Sequence, residues 1–258
     1  MRLVVCENPS DMIAGGEAWS SLSQRTRDLR ADVLLLNEMP FGSWVAGSPD
    51  PDNEVLAESR RLHDTGLRRF DELGARYVLS TRPTEEFGVS VNEAFVWHNG
   101  NIEGVHTKQY FPQEEGYYEA SWFQGGDPHF RLCQVGGIKV GFLICTEIMF
   151  NERARHYGRM GAQIIAMPRA VGFESLHRWK VALSMAAIVS GCYVISSNRS
   201  GVDNRGQRFG GAGWIFDPEG DLIAETSAES PVVTARFEAD RVVRAQKSYP
   251  CYVEESDS

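Results

Sequence analysis

An α/β protein with a two-layer sheet core and helices outside it is what the 258-residue sequence predicts. Three observations predict it. Short apolar runs of strand length alternate with longer mixed stretches of helical character along the chain. Hydrophobic residues make up 42% of the sequence, enough for a substantial buried core. No internal repeat, low-complexity tract or linker divides the text, so one domain over residues 1–258 accommodates it.

Taken in order, residues 3–6 (Leu-Val-Val-Cys) read as a first strand and 17–30 as a helix. Residues 33–37 (Val-Leu-Leu-Leu-Asn) are an apolar run of the kind found in strands covered on both faces. Residues 53–73 are charged and mostly helical, with Gly66 as a weak point. Strands follow at 76–80, 94–98, 102–107, 130–134 and 139–145. His98-Asn99-Gly100 joins two of them as a hairpin turn, because Asn-Gly accepts the positive φ that tight turns require. Then come a helix at 151–160, a strand at 163–167, a helix at 176–190 and a strand at 192–197. A meander closes the chain at 214–217, 222–226 and 232–237, turning at Pro218-Glu219-Gly220-Asp221. No helical text follows Gly210-Gly211-Ala212-Gly213, so that run reads as a tight bend and not as a phosphate loop.

Net charge is −9, which repels phosphate backbones and anionic lipid and argues against nucleic acid or a membrane as partner. No apolar run approaches the ~20 residues that cross a bilayer, and the N-terminus does not read as a secretory leader. Five cysteines with no CxxC pair fit reduced, cytoplasmic use. The six histidines show neither HxxxH nor HExxH spacing, so no metal and no cofactor is expected.

Three segments carry chemistry. Leu34-Leu35-Leu36-Asn37-Glu38 runs an apolar strand into a carboxylate. His106-Thr107-Lys108-Gln109 runs a strand into a lysine. Gly141-Phe142-Leu143-Ile144-Cys145-Thr146-Glu147 runs a strand into a cysteine. Each alone is ordinary: a solvated carboxylate, a solvated lysine, a buried inert thiol. Together they place a base, a cation and a nucleophile at strand ends, where α/β folds gather their active sites.

With these segments in view, the chain resembles the nitrilase, or carbon–nitrogen hydrolase, superfamily over nearly its whole length. The resemblance is carried by the three segments above, by Asn92-Glu93-Ala94, by Gly116-Tyr117-Tyr118-Glu119, by Met167-Pro168, by Ser197-Asn198-Arg199-Ser200-Gly201 and by Asp217-Pro218-Glu219-Gly220. It implies a four-layer αββα sandwich, with Cys145 as nucleophile, Glu38 as general base, Lys108 as oxyanion donor and Glu119 orienting the lysine. Glu114 and Glu115 are neighbours that compete for the last role; the spacing to Trp122-Phe123 favours Glu119. The resemblance also implies a homodimer or a larger assembly, with residues 151–160 and 176–190 supplying the interface.

The chain departs from the family's pattern at Thr146, where members usually carry an aromatic residue, and at Gly211-Ala212-Gly213, where a Gly-x-Ser is usual. Residues expected to touch substrate are Thr146, Tyr117, Trp122 and Arg169, the last as a bidentate receptor for a carboxylate. Trp44, Tyr118 and Phe150 are further candidates for an aromatic wall. The expected function is hydrolysis of a small amide to a carboxylic acid and ammonia through a thioester. An N-carbamoyl (ureido) substrate is the nearest alternative, and a nitrile comes third. A non-catalytic binding protein on the same fold would have lost one of the four residues, and none is lost.

Overall fold

The structure, a computed structural model, describes residues 1–254; the last four residues of the unit expected over 1–258 lie outside the described residues. The chain lays down β1 (Arg2–Pro9), α1 (Glu17–Leu29), β2 (Val33–Leu35), α2 (Asn53–Leu67), β3 (Tyr77–Glu86), β4 (Val89–His98) and β5 (Asn101–Thr107). It continues through α3 (Glu119–Trp122), β6 (Cys133–Val135), β7 (Ile138–Phe142), α4 (Asn151–Arg159), β8 (Ile164–Pro168), α5 (Leu176–Ser190) and β9 (Tyr193–Val202). It closes with β10 (Arg208–Gly210), β11 (Trp214–Phe216), β12 (Leu222–Glu225), β13 (Val232–Arg236) and α6 (Ala239–Gln246).

These strands make two stacked sheets. The first runs β5-β4-β3-β2-β1-β13 and the second β6-β7-β8-β9-β11-β12. They are continuous at one corner, where Glu7–Pro9 of β1 pair in parallel with Asn198–Ser200 of β9. Strand periodicity sorts the apolar text into layers. Leu3, Val5, Val33 and Leu35 face Val140, Phe142, Ile164 and Ile195 between the sheets. Val4, Cys6, Leu34 and Leu36 face outward onto α1, packing with Trp19, Leu22 and Phe70. Ile165, Met167 and Val194 face outward onto α4 and α5, packing with Tyr157, Leu183 and Ala187. The result is the αββα sandwich, and each unbroken hydrophobic run is a strand with both faces covered.

Several expected elements differ. The helix expected over 53–73 stops at Leu67, and a separate 3-10 turn spans Phe70–Leu73. Gly66 is required there, because a Cβ at that position would lie 2.2 Å from the Phe41 ring. The strands at 76–80 and 94–98 are the inner halves of a hairpin that reaches out to Phe87-Gly88. Both turn residues take positive φ, at 51° and 80°. Phe87 is not a turn-forming residue type, so the hairpin was invisible as text. The strand expected at 130–134 is displaced to Cys133–Val135, and the one at 139–145 ends at Phe142. α3, α6 and β10 are further elements beyond those the sequence predicts. No helix among the described residues is long and apolar enough to cross a membrane.

Candidate active site

The chemistry-bearing residues converge at one end of the sandwich. β2 and β7 end at Leu35 and Phe142, and in each case the functional side chain stands three residues later, at Glu38 and Cys145. β5 ends at Thr107, immediately before Lys108. Glu119 is the first residue of α3. Glu38, Lys108 and Glu119 are all fully buried, and Cys145 is 4% exposed.

Lys108 Nζ donates to Glu38 Oε1 at 2.9 Å and to both oxygens of Glu119 at 2.8 and 2.6 Å. Asn92 Nδ2 donates to the same Glu38 oxygen at 2.8 Å. Glu38 Oε2 has no hydrogen-bond partner among the described residues. One oxygen of this carboxylate is therefore anchored twice and the other has no partner among the described residues. Burial would depress the Lys108 ammonium, but the Glu119 and Glu38 carboxylates outweigh it and hold the pKa above the ordinary lysine range. Burial pushes the Glu119 carboxyl up against the pull of Lys108. Its two oxygens both accept from the ammonium, the arrangement of an ionised pair.

Cys145 opens a 3-10 turn, Cys145–Met149, with φ at 48°. That left-handed conformation costs a non-glycine residue roughly 1–2 kcal/mol, a strain that collects where a side chain must be presented to a site. Burial, then the Glu38 charge, raise the thiol well above its ordinary pKa, while Lys108 and a hydrogen bond from the Ala170 backbone lower it. Burial thus favours the thiol over the thiolate, which is the reactive form of a cysteine. Among the described residues no His, Cys, Asp and Glu side chains group as metal ligands do.

Cys145, Glu119, Thr146, Tyr117, Ala170 and Trp179 line a cavity of about 60 Å³. Thr146 and Tyr117 thus share this cavity with the sulfur. Trp122 does not: it is buried against Trp44 and Ala170, and its Nε1 donates to the Ser48 carbonyl at 2.7 Å. Arg169 is corrected more sharply. Its guanidinium turns away from the cavity, donating to Ser196 Oγ at 2.7 Å and to the Gly211 and Ala212 carbonyls, and it lies 4.0 Å from the Trp214 ring centre. Burial pushes its pKa down to about 9. It stands as an internal brace between β9 and the Gly211-Ala212 bend. Trp44 is buried with its Nε1 on the Gly116 carbonyl, and Phe150 stacks on Tyr110 at 4.1 Å.

The carbon–nitrogen hydrolase family matches this sequence over residues 10–247. The chain belongs to that family. It is a hydrolase acting on carbon–nitrogen bonds other than peptide bonds. It is 26% identical over 237 residues to the N-carbamoylputrescine amidase of Arabidopsis thaliana, covering 85% of this chain and 79% of the relative. It is 29% identical over 236 residues to the 2-oxoglutaramate amidase of Bacillus subtilis (strain 168), covering 86% and 84%. A solved carbon–nitrogen hydrolase from Helicobacter pylori G27 superposes with a TM-score of 0.82 at 21% identity, covering 97% and 94%.

In this carbon–nitrogen hydrolase several positioning residues escape a reading of the sequence. Glu147 is fully buried and staples two loops. Its Oε2 accepts from the Ile144 backbone at 2.7 Å and faces His106 Nε2 at 2.8 Å, and its Oε1 accepts from the Gln109 backbone at 2.8 Å. Ile144 precedes the cysteine and Gln109 follows the lysine, so one carboxylate sets the separation of the two. Asn198 Oδ1 accepts from Val171 at 2.9 Å and its Nδ2 donates to the Gly211 carbonyl at 2.7 Å, bracing a cavity wall. Arg199 donates to the Met39 and Gly42 carbonyls, bracing the loop that follows Glu38. The Asn-Arg pair is thus structural, one residue for each side of the site.

Glu147→Ala orphans the buried N–H groups of Ile144 and Gln109, at about 1–3 kcal/mol each. The expected loss of stability is therefore about 2–6 kcal/mol, with a fall in turnover from the loosened Cys145 turn. Denaturant titration checks it, and a variant within experimental error of the parent would show that the staple carries no load.

Proposed function

We propose that the chain hydrolyses a small amide by covalent catalysis at Cys145. Glu38 Oε2 takes the thiol proton as sulfur bonds to the carbonyl carbon. The resulting oxyanion is met by the Lys108 ammonium and by the Thr146 backbone N–H. Glu38 returns the proton to nitrogen, the C–N bond breaks and ammonia leaves, with a thioester on Cys145. Glu38 then draws a proton from water, whose oxygen attacks the thioester. The C–S bond breaks, the thiol regains its proton and the carboxylic acid departs. Glu119 keeps Lys108 charged and aimed. The observation that carries this reading is the free, buried Glu38 Oε2, in a carboxylate near enough to Cys145 for its charge to raise the thiol.

A primary amide is preferred to a nitrile. An amide carbonyl becomes a tetrahedral oxyanion at once, at the place where Lys108 waits, whereas a nitrile first gives a thioimidate and needs a second water. The N-carbamoylputrescine amidase relative supports a ureide as the second reading, with the same four residues. Matched amide, ureide and nitrile forms of one acyl group, assayed for ammonia, test the order. Amide turnover is expected to lead; a faster nitrile defeats the preference, and carbon dioxide released with ammonia moves the enzyme to the ureide reading.

The chain also suits a homodimer built on α4 and α5. Val181 and Met185 of α5 are 68% and 42% exposed in the single chain, and Met149 and Phe150 ahead of α4 are exposed as well. Sedimentation at micromolar concentration is expected to give twice the chain mass or a multiple of it, and a monomer would rule the assembly out. A thiol nucleophile and five free cysteines fit a reducing cytoplasm; loss of activity under mild oxidation that thiols restore is the expected behaviour.

A further inference from the structure

The cavity at Cys145 is too small to hold a whole metabolite. At about 60 Å³ it has the room of roughly two water molecules, enough for an amide head and the carbons next to it. The rest of any larger substrate must leave by the neck formed by Tyr117, Gly172 and Ser175, which the cavity shares with a second concavity of about 400 Å³. A methyl group added at Gly172 would stand 3.2 Å from the Tyr117 hydroxyl, so glycine is what keeps this neck open. Tyr117 is itself held in place by Gln207 Nε2, which donates to its hydroxyl at 2.9 Å.

The wall beyond the neck is cationic on an otherwise acidic protein. Arg178, from the first turns of α5, and Arg208, from β10, both line it, with Glu174 as the one acid among the described residues there. Neither guanidinium has a hydrogen-bond or ion-pair partner among the described residues. Arg60 and Arg241, by contrast, are paired with Glu85 and Asp217. Two unpaired arginines lining one concavity are a ready receptor for a carboxylate, whose two oxygens match the donor geometry of arginine.

We infer that the substrate carries a carboxylate at the end remote from the scissile bond, received by Arg178 and Arg208 in the outer chamber. This rests on the amidohydrolase reading of Cys145 and adds its substrate class: the monoamide, or the ureide, of a short carboxylic acid. It excludes a cationic tail, which would meet both arginines.

Three amides of equal chain length test this: glutaramate with a terminal carboxylate, valeramide with a neutral end, and δ-aminovaleramide with an ammonium. In the unmodified protein kcat/KM is expected to fall in that order. Arg178→Gln and Arg208→Gln are each expected to cut the glutaramate-to-valeramide ratio by about tenfold, as loss of a charge-assisted contact does. Glu174→Gln is expected to raise it, which separates charge recognition from damage to the wall. Equal rates on the three amides, or arginine variants that keep the ratio, overturn the inference and leave the amidohydrolase reading standing. Hydrolysis of none of the three, nor of their ureide counterparts, overturns that reading and the inference with it.

Discussion

Cys145→Ala is expected to abolish hydrolysis while leaving the protein folded. The side chain is 4% exposed, and truncation removes only the sulfur, so the cost in packing is small, about 1 kcal/mol. Alanine also keeps the left-handed φ of 48° no worse than cysteine does. Without sulfur there is no acyl intermediate, and Glu38 and Lys108 alone would have to direct water at an unactivated amide. Ammonia release should drop to the background of the assay, with an unchanged circular dichroism spectrum and a melting temperature within a few degrees of the parent. A variant that retains a substantial fraction of the parent rate would remove Cys145 from the mechanism. Cys133 and Cys192 serve as controls: each lies in a packed position away from the cavity, and their alanine variants are expected to lose stability and keep turnover.

Lys108→Ala should injure both rate and fold. Removing an oxyanion donor from a dry site lowers turnover by about 100- to 1000-fold. It also leaves Glu38 and Glu119 buried together with no cation between them, and breaking a buried ion pair by removing one partner costs about 3–5 kcal/mol. The pH dependence follows from the directions of the shifts. In the parent the ammonium is held above its ordinary value of 10.5, so its contribution is fully present below that pH and is lost only in stronger alkali. In the variant the two carboxyls lose the counter-charge that opposes burial. Burial already raises the Glu119 carboxyl above the ordinary 4.5, and without that counter-charge it rises further, so the side chain is tolerated while protonated and destabilises the fold as pH climbs through the raised value. The stability gap between parent and variant should therefore be narrow near pH 4 and widest at neutral pH and above. Urea titrations across that range check it, and a constant gap would contradict the ionised Glu38–Lys108–Glu119 cluster.

Much of this was legible as text, for physical reasons. A strand covered on both faces writes itself as an unbroken apolar run, so β1, β2, β8 and β9 were plain, and an ionisable residue just past such a run has few reasons to be there. That brought Glu38, Lys108 and Cys145 together. Glu119 came only with the family resemblance, because one carboxylate among three near residue 115 carries no period. What stayed hidden depends on the direction of a side chain or on partners distant in sequence. Arg169 stands at the end of β8, and text alone does not say that it turns inward to carbonyls instead of outward to the cavity. Glu147 was visible as a departure beside the cysteine, but its partners lie at residues 106 and 109 on another strand end. Arg178 and Arg208 are thirty residues apart in sequence and share a wall only because α5 and β10 meet over the same neck. The Phe87-Gly88 turn stays hidden because phenylalanine is not a turn-forming residue type, and tertiary context decides the pairing there.

The two sheets contribute unequally to the active site: the base and the ammonium hang from the first, the sulfur from the second. A folding chain that has completed only one of them therefore holds either an ion pair without a nucleophile or a thiol without a base. On the proposed mechanism, proton transfer and attack both cross the gap between layers. Completion of the site consequently requires both sheets to be docked. It reports the docking of the layers, an event of long sequence separation, and not the earlier formation of hairpins and helices.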